Sequence, residues 1–587
     1  MFESEQKEIE KIIRLYLEDK AIPVPETFDW GTIPFEGEWG ISTSFFKVAA
    51  LEARSGKKVN VPQRAQEIAL EVSEKISSLE GFSRADAVRG YLNLYFNTGQ
   101  FSHKVIDKVL RQGKGFGSGT PKNQQVMVEF SQPNTHKAFH VGHLRSAILG
   151  DAICRILEFA GYDVIRVNYF GDIGLHVIKW LWNYMNFHVG EEPSTDTTRW
   201  MGDLYAEAVQ RLEKNPALEA EVRELYVRWD MRDPEVVALW QKTRQWSLDG
   251  FDNIYDTLDI RFDRLYSNSE AETPGKEMVE KFIQEGIAED LRPEDAVIVR
   301  LDKLLGLKEE KYRVLVVLRS DGTALYSTED LALAKIKFQE YDLEKSIYVV
   351  DVRQKLHFQQ VWKTLEIAGY DWAKRCEHLS YELVNLPGNV VMASREGTVV
   401  LLEDLIREAT ARALEVVEGK NPSLMQAEKQ HVAKAVGLGA IKYPMLARDH
   451  TKIVTFDWET ALDFNGHSAP YIQYAHVRAN SILKRVKGLL PDPIMPSHDL
   501  DPTEVELIER ISQLPVEVQR AAEERKTLHI TNAAYELARS FNRFYRQCPV
   551  LDAPIGIRMF RLILVSAARQ TLAISLNLLG IEAPAVM

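Results

Sequence analysis

Between Val126 and His176 the apolar residues change period twice, and that change constrains the fold more than any other feature of the 587-residue chain. Val126, Val128 and Phe130 alternate with Met127, Glu129 and Ser131, the period of a strand. The run breaks at Pro133-Asn134, a turn-forming pair. Val141, Leu144, Ile148, Ala152, Ile156 and Phe159 then recur at three- and four-residue steps, which predicts a helix. Gly161 stands where a C-terminal cap belongs, and Asp163 opens a second strand. The stretch reads as one β-α-β unit of an α/β fold. Two histidines, His140 and His143, fall in the first turn of its helix, where unpaired N–H groups and the positive dipole end favour an anion such as phosphate.

The loop and helix start read SQPNTHKAFHVGH. His140-Val141-Gly142-His143 resembles the first motif of class I aminoacyl-tRNA synthetases, usually His-Ile-Gly-His. Gly142 leaves room for an adenine ring against the helix start, and two imidazoles three residues apart share a face from which both can donate to an α-phosphate. Chance is a weak competitor: 14 His and 33 Gly predict roughly 0.02 accidental H-x-G-H matches. A zinc site built from His136, His140 and His143 is the rival reading, but no cysteine or H-E-x-x-H completes it.

Length implies three to four domains. No run of eighteen apolar residues occurs, the first twenty residues are charged throughout, and Cys154, Cys376 and Cys548 form no CxxC pair. A cytoplasmic protein away from membranes is expected. The net charge of −13 opposes a nucleic-acid partner at first sight, but its distribution is uneven. The segment from Ile406 onward carries 22 basic and 20 acidic side chains, so the excess acid lies before it. Arg539, Arg543, Arg546, Arg558, Arg561 and Arg569 are candidates for a local basic face.

Three domains are expected. Residues 1–120 combine helical stretches with a strand near 90–97, an α+β unit, and the glycine-rich run at 113–125 reads as a linker. Residues 121–405 alternate strands and helices around a helical insertion at about 180–294, whose Trp182, Trp200, Trp229, Trp240 and Trp246 read as packing residues. AVIVRL, YRVLVVLRS, KSIYVVDV and LSYELVNL continue the β-α rhythm, which predicts a mostly parallel, Rossmann-like sheet with ligands at the carboxyl ends of its strands. Residues 406–587 are amphipathic helix almost throughout, a C-terminal all-α bundle.

RSDGTALYSTEDLA, VVDVRQKLHF, FNGHSAPYIQYAHVRANSIL, FNRFYRQCPVL and LLGIEAPAVM extend the resemblance along the whole chain and make it one to the arginyl-tRNA synthetases. The resemblance implies activation of arginine with ATP and Mg²⁺, without a tightly bound protein metal, and transfer to the 3′ end of tRNA(Arg) by a monomer. It implies catalytic roles for His140, His143 and Lys137, and ATP contacts from His140, Gly142, His143, Met392, Ser394 and Arg395. Arginine would meet Glu129, Gln132, Pro133, Asn134, His143, Tyr326, Asp330 and Gln354. A guanidinium calls for a carboxylate that accepts two parallel hydrogen bonds, the role implied for Asp330, with Tyr326 four residues before it on one helical face. The N-terminal domain, through Asn97, Gln100 and Phe101, would meet the outer corner of tRNA. The bundle, through Tyr471, Gln473, Tyr474, Arg478 and Asn542, would bind the anticodon.

Two departures stand out. The second class I motif, normally Lys-Met-Ser-Lys-Ser, corresponds to Val391-Met392-Ala393-Ser394-Arg395 and has lost both lysines. Lys137, three residues before His140, stands where a compensating lysine serves in arginyl enzymes. Ser131-Gln132-Pro133-Asn134 replaces the usual Ser-Ser-Pro-Asn. A class I synthetase for another amino acid and an RNA-binding paralogue without ligase activity are the alternatives.

Overall fold

The computed structural model describes residues 2–33, 38–76, 80–386, 390–391, 401–486 and 492–587. Its centre is a five-stranded parallel sheet. Strand β1 (Gln125–Glu129) leads into helix α1 (Val141–Phe159), then β2 (Asp163–Phe170). Helix α2 (Pro234–Leu258), the last of four insertion helices, returns the chain to β3 (Arg264–Ser267). Helix α3 (Tyr326–Glu340), β4 (Leu343–Asp351), α4 (Lys355–Ile367) and β5 (Cys376–Tyr381) complete the unit. The spatial order is β5-β4-β1-β2-β3. The chain moves outward from β1 in one direction through β2 and β3, and in the other through β4 and β5. The crevice beyond the carboxyl ends of β1 and β4 is therefore the switch point at which such sheets bind ligands.

Helix α1 is buried on nearly all sides, because β1 covers one face and the C-terminal helices cover another. One apolar cluster joins the N-terminal domain, α1 and the bundle, so the sheet rests on a shared core.

Two expectations about this region are corrected. The helical insertion does not run to about 294: its helices Leu175–Phe187, Thr197–Lys214, Glu219–Asp230 and Pro234–Leu258 end at 258, and β3 follows within the expected span. Four residues are too few to print a strand period against helical flanks. The AVIVRL and YRVLVVLRS strands also leave the parallel sheet. Val297–Arg300 and Val314–Leu318 pair antiparallel, with Glu289–Asp290 as a third strand. The five tryptophans do pack the insertion, with Trp182 and Trp229 buried and the others partly buried in one cluster.

The N-terminal domain is a four-stranded antiparallel sheet with helices Glu3–Asp19, Phe46–Arg54, Val61–Ile76 and Thr98–Gln112. The C-terminal region contains helices Leu402–Lys420, Gln426–Leu446, Ala469–Lys484, Pro502–Glu524, Leu528–Gln547 and Ile555–Leu578. The last is long and apolar enough to cross a membrane by length and composition, and it is largely buried in this bundle.

Candidate active site

The loop from β1 to α1 is strained. Ser131, Gln132 and His136 have φ of 79°, 49° and 60°, a left-handed conformation unusual for non-glycine residues. Neighbouring side chains hold it there. Ser146 Oγ accepts from the Ser131 amide at 2.9 Å, Asn168 Oδ1 from the Gln132 amide at 3.1 Å, and Ser247 Oγ from the His136 amide at 3.0 Å. The Tyr255 hydroxyl ties the Ser131 hydroxyl at 2.7 Å to the Asn168 amide at 3.0 Å. Asn134 lies against the backbone of Gly171, where a Cβ would come within 2.2 Å of its Oδ1. His136, a ligand only in the rival zinc reading, is wholly buried between the hydroxyls of Thr135 and Thr243.

His140 caps α1 through its own ring, whose Nδ1 accepts from the Gly142 amide at 3.1 Å. His143 Nδ1 accepts from the His140 amide at 3.3 Å. A backbone N–H can only donate, so each Nδ1 carries a lone pair and each ring keeps its proton on Nε2. The rings stack with centroids 3.8 Å apart. Burial pushes the His140 pKa down to about 4 and that of His143 well below its ordinary value, with Lys137 adding repulsion to both. The helix start therefore presents two neutral N–H donors. Gly142 permits this, because a Cβ there would approach the His140 ring to 2.9 Å.

Lys137 stands beside them. Its ammonium lies 5.0 Å from the Tyr205 ring centroid and has no carboxylate partner among the described residues. Burial lowers its pKa. The insertion presses on this loop, where a Cβ on Gly202 would approach Ala138 to 2.5 Å. His176, in the first turn of Leu175–Phe187, joins the group, its Nε2 buried without a partner among the described residues. Neither Tyr205 nor His176 was found from the sequence, since a residue from an insertion carries no local signal of where it docks.

At the other side of the crevice, Glu129 ion-pairs with the buried Lys337 and accepts from Gln132 Nε2 at 3.0 Å. Pro133 is buried and supplies a carbonyl to the Gly171 amide at 3.1 Å. Asp330, on α3, accepts from His357 Nε2 at 2.6 Å. Burial opposes charge on that imidazole, but the Asp330 contact outweighs it and holds the His357 pKa above its ordinary value. Tyr326 opens α3 with 61% of its surface exposed, and Gln354 is exposed just beyond β4. Met392, Ser394 and Arg395 lie outside the described residues. The chain resumes at Leu401, which bridges His140, and the Leu402 amide donates to the Phe139 carbonyl at 3.4 Å. The second-motif segment is thus followed directly by residues fastened to the first motif.

The family model for class I (R) tRNA synthetases, catalytic domain, matches residues 105–458, and that for the DALR anticodon binding domain matches residues 472–587. An arginine–tRNA ligase of Alkaliphilus metalliredigens is 34% identical, with 89% of this chain and 90% of the relative covered. One from Clostridium perfringens is 36% identical over 88% of this chain and 90% of the relative. The chain belongs to the class I arginyl-tRNA synthetase family. The solved arginyl-tRNA synthetase of Thermus thermophilus superposes with a TM-score of 0.81 at 28% identity, covering 99% of this chain and 100% of that one.

The residues expected to meet tRNA in this arginyl-tRNA synthetase family member divide sharply. Phe101 is buried, stacked 4.0 Å from Phe96 between ring centroids in the N-terminal core, so it offers no base a surface. Asn97 caps the helix Thr98–Gln112 by accepting from the Gln100 amide at 3.2 Å, and Gln100 remains exposed. Gln473 is buried and donates to the Glu582 carbonyl at 2.8 Å, holding down the C-terminal tail. Tyr471 and Asn542 are also buried. Tyr474 and Arg478 are half-buried, with the Arg478 guanidinium 4.7 Å from the ring centroids of both Tyr474 and Tyr545. Three of the six arginines of the expected basic face are neutralised by acids. Arg539, Arg543 and Arg561 pair with Glu536, Glu506 and Glu504, and Arg569 donates to Asn480.

Proposed function

We propose that this chain is a cytoplasmic, monomeric arginine–tRNA ligase. It joins the arginine carboxylate to the α-phosphate of ATP, releases pyrophosphate, and passes the arginyl group from the adenylate to the 3′-terminal ribose of tRNA(Arg). The observation that carries this reading is the pair of stacked, neutral imidazoles beside the ammonium of Lys137, with neither Nε2 proton nor the ammonium taken up by a partner among the described residues. Neutral donors attract the ground-state triphosphate only moderately. They gain most as charge builds on the α-phosphate, so their binding energy falls on the transition state. Lys137 then offsets charge on the departing pyrophosphate. Mg²⁺ enters with the triphosphate, whose oxygens are its natural ligands.

Arginine lies across the crevice from β1 to α3. Gln132 spends its amide nitrogen on Glu129, which leaves Oε1 to accept from the substrate ammonium. Glu129 is then a positioning residue, its charge matched by Lys337. Asn134, held against Gly171, and exposed Gln354 supply the remaining polar contacts, while Asp330 and Tyr326 receive the guanidinium. Tyr474, Arg478 and Tyr545 form the part of the bundle best suited to stack unpaired anticodon bases.

The test is charging. Purified protein with ATP, Mg²⁺ and total tRNA is incubated with each amino acid in turn. Charging with arginine alone is expected; charging with a different amino acid would reassign the pocket, and tRNA binding without charging would make the chain a non-catalytic paralogue.

A further inference from the structure

The phenol of Tyr169 on β2 donates to Glu329 of α3, and burial, joined by the negative charge of Asp330 of α3 and Glu129 of β1, holds its pKa well above the ordinary value. Two of these three carboxyl groups have a cation. Lys337 pairs with Glu129, and His357 from α4 donates to Asp330. Glu329 has none. It is only 6% exposed, and its Oε2 accepts from the Tyr169 hydroxyl at 3.3 Å and from the Asn268 amide, whose nitrogen also donates to Tyr169 at 2.7 Å. Among the described residues no hydrogen bond reaches Oε1, and no Lys, Arg or His pairs with Glu329. Its other charged neighbours, Asp330 and Glu272, are acidic.

Burying a carboxylate among neutral donors and other acids is unfavourable unless something supplies the missing charge. Burial first, and Asp330 next, push the Glu329 carboxyl up to about 8. A guanidinium presents five N–H donors in a planar fork, more than Asp330 alone can accept while one of its oxygens is bonded to His357.

We propose that Glu329 is a second guanidinium acceptor beside Asp330 and a specificity-determining residue for arginine. The assignment rests on the arginine reading of the site given above. Oε1 takes the guanidinium nitrogen that Asp330 leaves unmatched, and the arriving cation favours the ionised carboxylate. Tyr169 and Asn268 act as positioning residues that fix Oε2 and leave Oε1 for substrate.

Glu329→Gln keeps the shape and removes the charge. Its expected signature is a rise of roughly ten- to hundredfold in the KM for arginine, the value of a charge-assisted hydrogen bond, with the KM for ATP unchanged. Discrimination between arginine and citrulline, its neutral ureido isostere, should narrow by a similar factor, read as the ratio of citrulline Ki to arginine KM. Glu329→Asp, which keeps the acid, should retain part of the discrimination. In the unsubstituted enzyme the KM for arginine should fall as pH rises from 6.5 to 8.5, and more steeply than in the Gln variant. His357 titrates in both proteins, so the difference belongs to Glu329. An unchanged citrulline ratio in Glu329→Gln overturns the proposal, as does a parallel rise of both KM values, which marks a structural role. If the Gln variant does not fold, a flat arginine KM across that pH range in the unsubstituted enzyme overturns it. Failure of the unsubstituted enzyme to charge arginine at all overturns the substrate reading itself and is seen before any variant is made.

Discussion

Lys137→Met tests how the chain works with a second motif that has lost both lysines. The Lys137 ammonium faces a tyrosine ring and two neutral imidazoles, with no carboxylate pairing it among the described residues, so its charge remains available to a ligand. A phosphate oxygen at about 4 Å, with an effective dielectric near 20, gains roughly 4 kcal/mol from such a cation. Removing one preorganised donor from an oxyanion site costs about 2.7 to 4 kcal/mol. The two figures agree, and both correspond to a loss of roughly 10²- to 10³-fold in kcat. Because the charge on pyrophosphate grows as the bond breaks, kcat should fall far more than the KM for ATP rises. Steady-state charging with ATP, arginine and tRNA all saturating reads this directly. Lys137→Arg should keep most of the rate, and Ser394→Lys, which restores a motif lysine, should recover part of it in the Lys137→Met background while changing the unsubstituted enzyme little. Near-normal turnover of Lys137→Met would refute the compensation argument and shift the role to Arg395 or another cation.

Three further outcomes are expected. Asp330→Asn turns an acceptor into an amide whose NH₂ faces guanidinium donors, so kcat/KM for arginine should drop roughly ten- to hundredfold while the KM for ATP holds; near-normal arginine kinetics would make Asp330 only the partner of His357. Gly171→Ala drives a methyl into Asn134 Oδ1, at 2.2 Å; the KM for arginine should rise, with about 1 to 3 kcal/mol of stability lost in denaturant melts, and unchanged kinetics would remove Asn134 from the site. His136, His140, His143 and His176 are all held below the ordinary histidine pKa, chiefly by burial, with His140 near 4 and His176 near 3. The unfolded chain takes up protons below pH of about 6.5 while the folded chain does not, so stability should be full above that pH and fall as pH drops towards 4. Urea midpoints at pH 7.5 and 5 read the loss, His176→Gln should reduce it, and equal midpoints in the unsubstituted protein would contradict the burial argument.

The β1-α1-β2 unit was legible because each element is long enough to print its own period, and the histidine motif because two ring nitrogens at a helix start have a chemical use. Strand β3 was not legible: four residues, Arg264 to Ser267, join the sheet through tertiary packing that leaves no local pattern. The strands at Val297–Arg300 and Val314–Leu318 were visible as strands, but not their direction, since partner choice is set by how the chain returns. Phe101 shows the limit for the tRNA surface. An aromatic residue in the first turn after a strand reads equally as a stacking platform or as core, and only its packing on Phe96 and Trp39 decides. His357 was inside a quoted motif, yet its role emerged only when α4 brought it to Asp330.

The loop that carries this chemistry explains why so many uncharged groups surround it. Three residues in left-handed backbone conformations cost about 1 to 3 kcal/mol each; side-chain oxygens of Ser146, Asn168 and Ser247 accept from the loop's backbone N–H groups from α1, β2 and α2, and the Tyr255 hydroxyl braces the side chains of Ser131 and Asn168. Ionised partners there would have raised the His140 and His143 pKa values or captured Lys137. Neutral partners hold the backbone without competing for either. Glu129 from β1 and Glu329 and Asp330 from α3 instead place carboxyl groups at the other side of the crevice, where Lys337 pairs with Glu129 and His357 with Asp330. On the proposed placement of ATP and arginine, this division would keep these acids from the triphosphate and put them where a guanidinium would end. A Ser247→Asp substitution, which sets a carboxylate against the loop, should therefore raise the Lys137 and His140 pKa values and weaken ATP binding even with the His136 amide contact preserved, and unchanged ATP affinity would show that the loop tolerates charge.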